Sequence, residues 1–259
     1  MATAAAAAAS ARAVANGALA HVPRYGFTID AIRASSLGGN GGGGEGVESL
    51  FPGPPGAETS AMRRLLEAHD AASLASMAES PSLKSSSGND AQLNDDDETA
   101  YRRAVSLVES RLRRSFDVRA GLPDALASLL ISGRVPNPST LFQRSGRIAD
   151  EALRLAAWKG DYSMDWYTTR LRLAQSFLLA ELHMLAPNRA STVDDVEEGG
   201  EETLKGSTEI LRRLAYLRLP LSGPTIGEGQ TMEEALKSTK QWVTWGSRGW
   251  LGIFRSMGL

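Results

Sequence analysis

Long segments rich in alanine, leucine and arginine dominate this chain, and they contain few β-branched residues. Their apolar residues recur three and four positions apart, which places them on one face of a helix, and no segment shows the alternation typical of a half-buried strand. Prolines interrupt the pattern at Pro123, Pro136, Pro138 and Pro187. We therefore predict an all-α fold, with helices over about 61–78, 101–119, 123–132, 138–158, 165–186 and 203–219.

The composition excludes several kinds of protein. A chain of 259 residues without cysteine has no disulfide scaffold and no cysteine-bound metal, and its three histidines leave few ways to bind a transition metal. The formal net charge of -2 argues against nucleic-acid binding, which needs concentrated lysine and arginine. Because no run of 18 apolar residues is present, the sequence predicts no membrane-spanning segment.

The sequence also lacks the usual motifs of catalysis. No Glu-x-x-His pair is present for a di-iron centre, since Glu181 and His183 are two positions apart and point to different sides of a helix. There is no Gly-x-Ser-x-Gly nucleophile elbow, and the glycine-rich stretch 38–46 is not followed by the Lys-Ser/Thr of a phosphate-binding loop. We expect a protein that is not an enzyme, with no catalytic residue, no metal site and no cofactor.

Glu181 is the most unusual carboxylate, because its neighbours along the predicted helix are Phe177, Leu178, Leu182 and Leu185. An unpaired charge in such surroundings would be costly. We expect an ion pair with Arg170 or another arginine, or contact with solvent at the mouth of a pocket; contact with a ligand is the less favoured alternative.

Stretches that cannot continue a helix divide the chain. Glycine and proline predict loops over 38–46 and 51–56, and polar or acidic composition predicts disordered inserts over 79–98 and 191–202. Residues 1–17 are rich in alanine and contain no acid, which fits either the remnant of a targeting peptide or a first helix. The resulting units are an N-terminal helix-turn-helix-like region over 18–60, a helical domain over 61–220 and a tether over 221–231.

The last segment, 232–257, is predicted to be an amphipathic helix with a tryptophan-rich apolar face and a basic polar face. That composition is typical of helices that lie in the plane of a membrane surface. The residues expected to contact the membrane are Leu236, Trp242, Val243, Trp245, Trp250, Ile253 and Phe254. The alternative is that this face packs onto the core of its own chain or onto a second copy in a homodimer.

Five segments carry motifs that are more specific than helical spacing. They are ALAHVPRYGFTIDAIRASSLG at 18–38, LPDALASLL at 122–130, VPNPSTL at 135–141, IADEAL at 148–153 and GDYSMDWYTTRLRLAQSFLLAELHML at 160–185. The Asp-Trp-Tyr-Thr-x-Arg core at 165–170 is the most specific part. In this order the segments resemble the ninth coenzyme Q biosynthesis protein family, with Phe27 where that family usually has tryptophan.

This resemblance implies a helical bundle like that of the TetR regulators, used without DNA. It implies a lipid-binding accessory protein of ubiquinone biosynthesis, peripheral on the matrix side of the mitochondrial inner membrane. Such a protein would bind isoprenoid quinone intermediates and phospholipid, and would present the quinones to the di-iron demethoxyubiquinone hydroxylase among other ubiquinone-biosynthesis proteins.

The resemblance also implies particular site residues. The docking surface for the hydroxylase would include Trp166 and Tyr167, and we expect Asp150, Asp165 and Arg170 to belong to the same surface. Spacing alone would favour a core position for both rings. We expect the apolar lipid pocket to be lined by Leu126, Leu130, Leu173, Phe177 and Leu178.

Two other functions remain open. A TetR-like transcription regulator would need a recognition helix with polar side chains for base edges, and the corresponding TIDAIRASSLGG offers only Arg33. We therefore expect no nucleic-acid partner. An enzyme that acts on quinone head groups is the other alternative.

Overall fold

The computed structural model describes residues 2–37, 51, 56–80, 97–130, 139–160, 164–186 and 196–216. Within these ranges the chain forms helices and the turns that join them, without any strand, so the prediction of an all-α fold is confirmed. The helices are α1 (Ala2–Ala18), α2 (Val22–Tyr25), α3 (Ile29–Leu37), α4 (Ala57–Ala78), α5 (Asp97–Asp117), α6 (Leu122–Leu130), α7 (Ser139–Leu155), α8 (Met164–Leu185) and α9 (Val196–Tyr216). A 3-10 turn, Leu19–His21, joins α1 to α2.

Helix α8 packs between α7 and α9, and α5 contacts α4, α7, α8 and α9. These contacts follow from the predicted apolar faces, because Leu107 and Leu112 of α5 and Phe177 of α8 are fully buried in one continuous hydrophobic core. Helices α1 and α3 form a smaller layer against α4 and contribute Ile32 and Phe27 of the preceding turn to the same core.

Helix α1 is the alanine-rich helix that was one of the two interpretations of residues 1–17. Its buried face consists of Ala11, Ala15 and Ala18, which are packed at helical spacing where α1 meets α3 and α4. Such small side chains let helix backbones approach closely. A targeting role for this segment stays a prediction.

Helix α9 begins at Val196, inside the stretch 191–202 that was predicted to be a disordered insert, so that prediction is wrong from residue 196 onward. Gly200 is buried, and an added Cβ there would lie 3.3 Å from the Phe116 ring of α5. The absence of a side chain at Gly200 thus lets α9 lie close to the last turn of α5.

Two glycines allow the turn before α3 to rest against the turn before α6. Gly26 has a φ of 71°, in the left-handed region that favours glycine. A Cβ on Gly121 would lie 2.8 Å from the Cα atom of Gly26, well inside the distance at which carbon atoms attract. This crossing joins the N-terminal helices to the rest of the bundle, in addition to the packing of α1 and α3 against α4.

None of the helices in the described ranges has both the length and the hydropathy needed to cross a bilayer.

Candidate functional site

An exposed aromatic surface lies in the first turns of α8. Tyr167 is 62% exposed and Leu171, one turn further along the same face, is 53% exposed. The half-buried Trp166 ring meets the Tyr167 ring edge to face, with centroids 4.9 Å apart and planes at 85°. We name Trp166, Tyr167, Arg170 and Leu171 the aromatic patch.

Arg170 holds this patch in place. Its guanidinium carbon lies 4.1 Å from the centroid of the Trp166 ring, which is a cation-π contact. The same guanidinium donates to Oδ2 of Asp150, a residue of α7, so the ion pair ties the start of α8 to its neighbour. The second oxygen of Asp150, Oδ1, is buried and accepts no hydrogen bond within the described ranges. The contacts of Arg170 therefore connect the Trp166 ring to α7.

The structure brings together four of the five residues predicted to bind a partner. Asp150, Trp166, Tyr167 and Arg170 form one connected cluster, and Asp165 precedes them in α8, although its side chain lies outside the described part. Leu171 was missed. The signal was available in the sequence, since Leu171 follows Tyr167 by four positions and must share its helix face.

The five residues predicted to line a lipid pocket are all buried in the hydrophobic core: Leu126, Leu130, Leu173, Phe177 and Leu178. The structure contains cavities of about 270 Å³ and about 480 Å³, and other residues line both of them. The smaller cavity lies beside the turn from Gly26 to Thr28, and the larger lies between α1, α4, α6 and α7. A lipid pocket at the five residues stays a prediction.

The residues predicted to contact a membrane lie outside the described ranges. They are Leu236, Trp242, Val243, Trp245, Trp250, Ile253 and Phe254, all beyond Tyr216. Their proposed role stays a prediction from sequence.

The interior contains a network of buried charges that connects α4, α5, α7 and α8. Arg144 donates from Nε to Oδ2 of Asp70 at 2.7 Å and from Nη1 to Oε2 of Glu181. Ser115 donates to Oε1 of Glu181 at 2.9 Å, and Arg111 donates to both Ser115 and Asp70. The prediction of an ion pair for Glu181 is confirmed, with Arg144 as the partner rather than Arg170.

The net effect of burial and of the charges of this network is to lower the pKa values of Asp70 and of the neighbouring His69. Burial alone would raise the pKa of Asp70, but the charges of Arg144 and Arg111 outweigh it and hold that pKa below its usual range. Burial, together with the charge of Arg111, lowers the pKa of the neighbouring His69 to about 4. Asp70 and Glu181 each pair with an arginine, so the network ties α4, α5, α7 and α8 together.

Across the described ranges, no three histidine, aspartate or glutamate side chains are grouped so that they could hold a metal ion. No protein-family model matches this sequence, and no curated protein matches it.

Proposed function

We propose that this protein is a membrane-associated lipid-binding accessory protein of ubiquinone biosynthesis, and that it has no catalytic activity of its own. In this role it binds isoprenoid quinone intermediates and presents them to the di-iron demethoxyubiquinone hydroxylase. The observation that carries the proposal is the aromatic patch. The exposed Tyr167 packs against the half-buried Trp166, which Arg170 contacts, at the position where the family resemblance expects the hydroxylase to dock.

The chemistry of the patch suits a protein partner. Tyrosine, tryptophan and arginine dominate the binding energy of protein interfaces, and rings that are already fixed lose little conformational entropy on binding. Burial of Tyr167 and Leu171 under a partner would contribute about 2 kcal/mol each. The neighbouring Asp150–Arg170 pair would supply polar contacts at the edge of such an interface.

We also propose that the helices form a bundle like that of the TetR regulators. A TetR-like bundle is supported by the order of the elements, in which the short helices α2 and α3 precede the long helices that form the core. The lipid would enter between α5, α6, α7 and α8, and the amphipathic segment 232–257 would bind the inner mitochondrial membrane from the matrix side. The physical need is plain, because a polyprenyl quinone is nearly insoluble in water and must reach its enzyme from the membrane.

A binding experiment with purified demethoxyubiquinone hydroxylase tests the proposal. Tyr167→Ala should weaken the complex about tenfold or more, because it removes the most exposed ring of the patch. Phe142→Ala is the matched control, since Phe142 is 48% exposed on α7 but lies outside the patch. Equal affinities of the two variants, or no binding by the unaltered protein, would reject this docking role.

The transcription-regulator alternative is tested by a gel shift with duplex DNA. We expect no complex, because the candidate recognition helix α3 presents Arg33 already paired with Asp30 at 2.8 Å. Tight binding that weakens steeply with salt would favour the regulator instead.

A further inference from the structure

The cavity of about 480 Å³ is an open cleft between α1, α4, α6 and α7, and four arginines line it: Arg12, Arg64, Arg144 and Arg147. Pockets of 300–1,000 Å³ are typical of small-molecule sites. Two acids, Glu67 and Asp70, also line the cleft. The cleft therefore carries an excess of positive charge.

The pairing of these charges shows where the excess lies. Arg144 is bound by Asp70 and Glu181, and Arg64 is paired with Glu67 at 2.8 Å. Arg12 of α1 and Arg147 of α7 are exposed, and within the described ranges neither forms an ion pair or a side-chain hydrogen bond. Two guanidinium groups from different helices thus face one cleft with their charge uncompensated.

The cleft also has an apolar side. Leu66 and Ile148 are buried in its wall, and the half-buried Leu129 lies beside them. A cationic rim over an apolar wall suits a ligand that has an anionic head and a short hydrocarbon part. The exposed amides of Asn16 and Gln143, which line the same cleft, can donate further hydrogen bonds to such a head.

We propose that this cleft binds a phosphomonoester that carries a short apolar group. A phosphomonoester brings a charge of about -1.5 to -2 near pH 7, which matches two free guanidinium groups, whereas a carboxylate brings only one charge. Its three acceptor oxygens suit the fork geometry of arginine. The inference goes beyond the proposed function, because it uses neither the aromatic patch nor the expected quinone pocket.

Calorimetric titration of the full chain with hexyl phosphate tests the site. One molecule should bind per chain, and Arg12→Gln and Arg147→Gln should each weaken binding about tenfold. Both side chains are exposed and unpaired, so the variants should keep the native circular dichroism spectrum. Arg113→Gln is the matched control, because it removes the same charge from an exposed position of α5 that does not line the cleft.

Three results would overturn the proposal: no heat at millimolar hexyl phosphate, equal loss of affinity in Arg113→Gln, or equal affinity for hexyl sulfate, which has a single charge. Two results would support it and would identify the source of the phosphate. Competition by phosphatidic acid vesicles, lost in Arg147→Gln, indicates a lipid headgroup. Binding of hexyl phosphate that such vesicles do not displace indicates a soluble phosphate ester.

Discussion

At the residue scale, the central feature is a set of charged side chains buried in the core, where an unpaired charge would destabilise the fold. Arg111 and Glu181 have no exposed surface, and Arg144 is nearly as deeply buried. Each is tolerated because a partner of opposite charge or a hydroxyl group contacts it directly. Spacing along α8 was enough to predict that Glu181 needs a cation, but it could not identify Arg144, which lies 37 positions earlier.

The first prediction concerns this network. Glu181→Gln should lower the free energy of unfolding by about 3 kcal/mol, because it leaves the buried Arg144 with one counter-charge fewer. Glu209→Gln is the control, since it breaks an exposed pair with Arg213 and should cost less than about 0.5 kcal/mol. Urea unfolding measures both variants. Similar midpoints for the two would contradict the role of Glu181.

At the element scale, helix α7 ends at Leu155, earlier than the end predicted near residue 158. The hydrogen bonds after this helix give the reason. The N–H of Trp158 donates to the carbonyl of Leu153, and the N–H of Ala157 donates to that of Arg154. These bonds form a Schellman cap, whose left-handed residue is Ala157 with a φ of 55°. Glycine normally occupies the left-handed position of such a cap. Because this chain has alanine there, the sequence gave no sign that the helix ends.

The second prediction follows from that cap. Ala157→Gly should raise the free energy of unfolding by about 0.5 to 1 kcal/mol, because it removes the steric cost of a Cβ in the left-handed conformation. The preceding Ala156 is fully buried and has a negative φ, so Ala156→Gly should destabilise the protein instead. Urea midpoints that move in the same direction for both variants would contradict this interpretation.

The third prediction concerns the segment 232–257, which the sequence predicts to be an amphipathic helix. Trp242→Asp combined with Trp250→Asp should abolish flotation of the protein with liposomes, because it places two charges in the apolar face. Thr244→Asp combined with Ser247→Asp adds the same charge to the polar face and should leave most of the protein with the vesicles. Flotation of both variants to the same extent would reject the membrane role of this segment.

At the scale of the whole molecule, the buried network makes stability depend on pH. Burial lowers the pKa of His69 to about 4, whereas the unfolded value is near 6.5. Between these values the unfolded chain binds a proton at His69 and the folded chain does not. Protonation therefore favours unfolding, and stability is lost as the pH falls from about 6.5 to about 4. The lowered pKa of Asp70 acts in the same direction at more acidic pH, below 3.8.

The fourth prediction concerns the pH range from about 6.5 to about 4, in which His69 makes stability depend on pH. His69→Leu should reduce the loss of stability between pH 6.5 and pH 4 by about 3 kcal/mol, since the variant has no imidazole to protonate. Nδ1 of His69 accepts no hydrogen bond within the described ranges, so the substitution breaks none at that atom. His21→Leu, at the α1–α2 turn, is the control. Parallel pH profiles of His69→Leu and the unaltered protein would contradict the assignment.

By itself, the sequence determined the all-helical class and the approximate limits of α4 to α8. Those features depend on the spacing and the propensities of neighbouring residues, which act within one helix. Only the tertiary structure decided that Arg144 joins Asp70 to Glu181, that Gly26 meets Gly121, and that Arg12 and Arg147 face one cleft. These contacts join residues far apart in the chain, and their geometry exists only after the apolar faces of the helices have packed together.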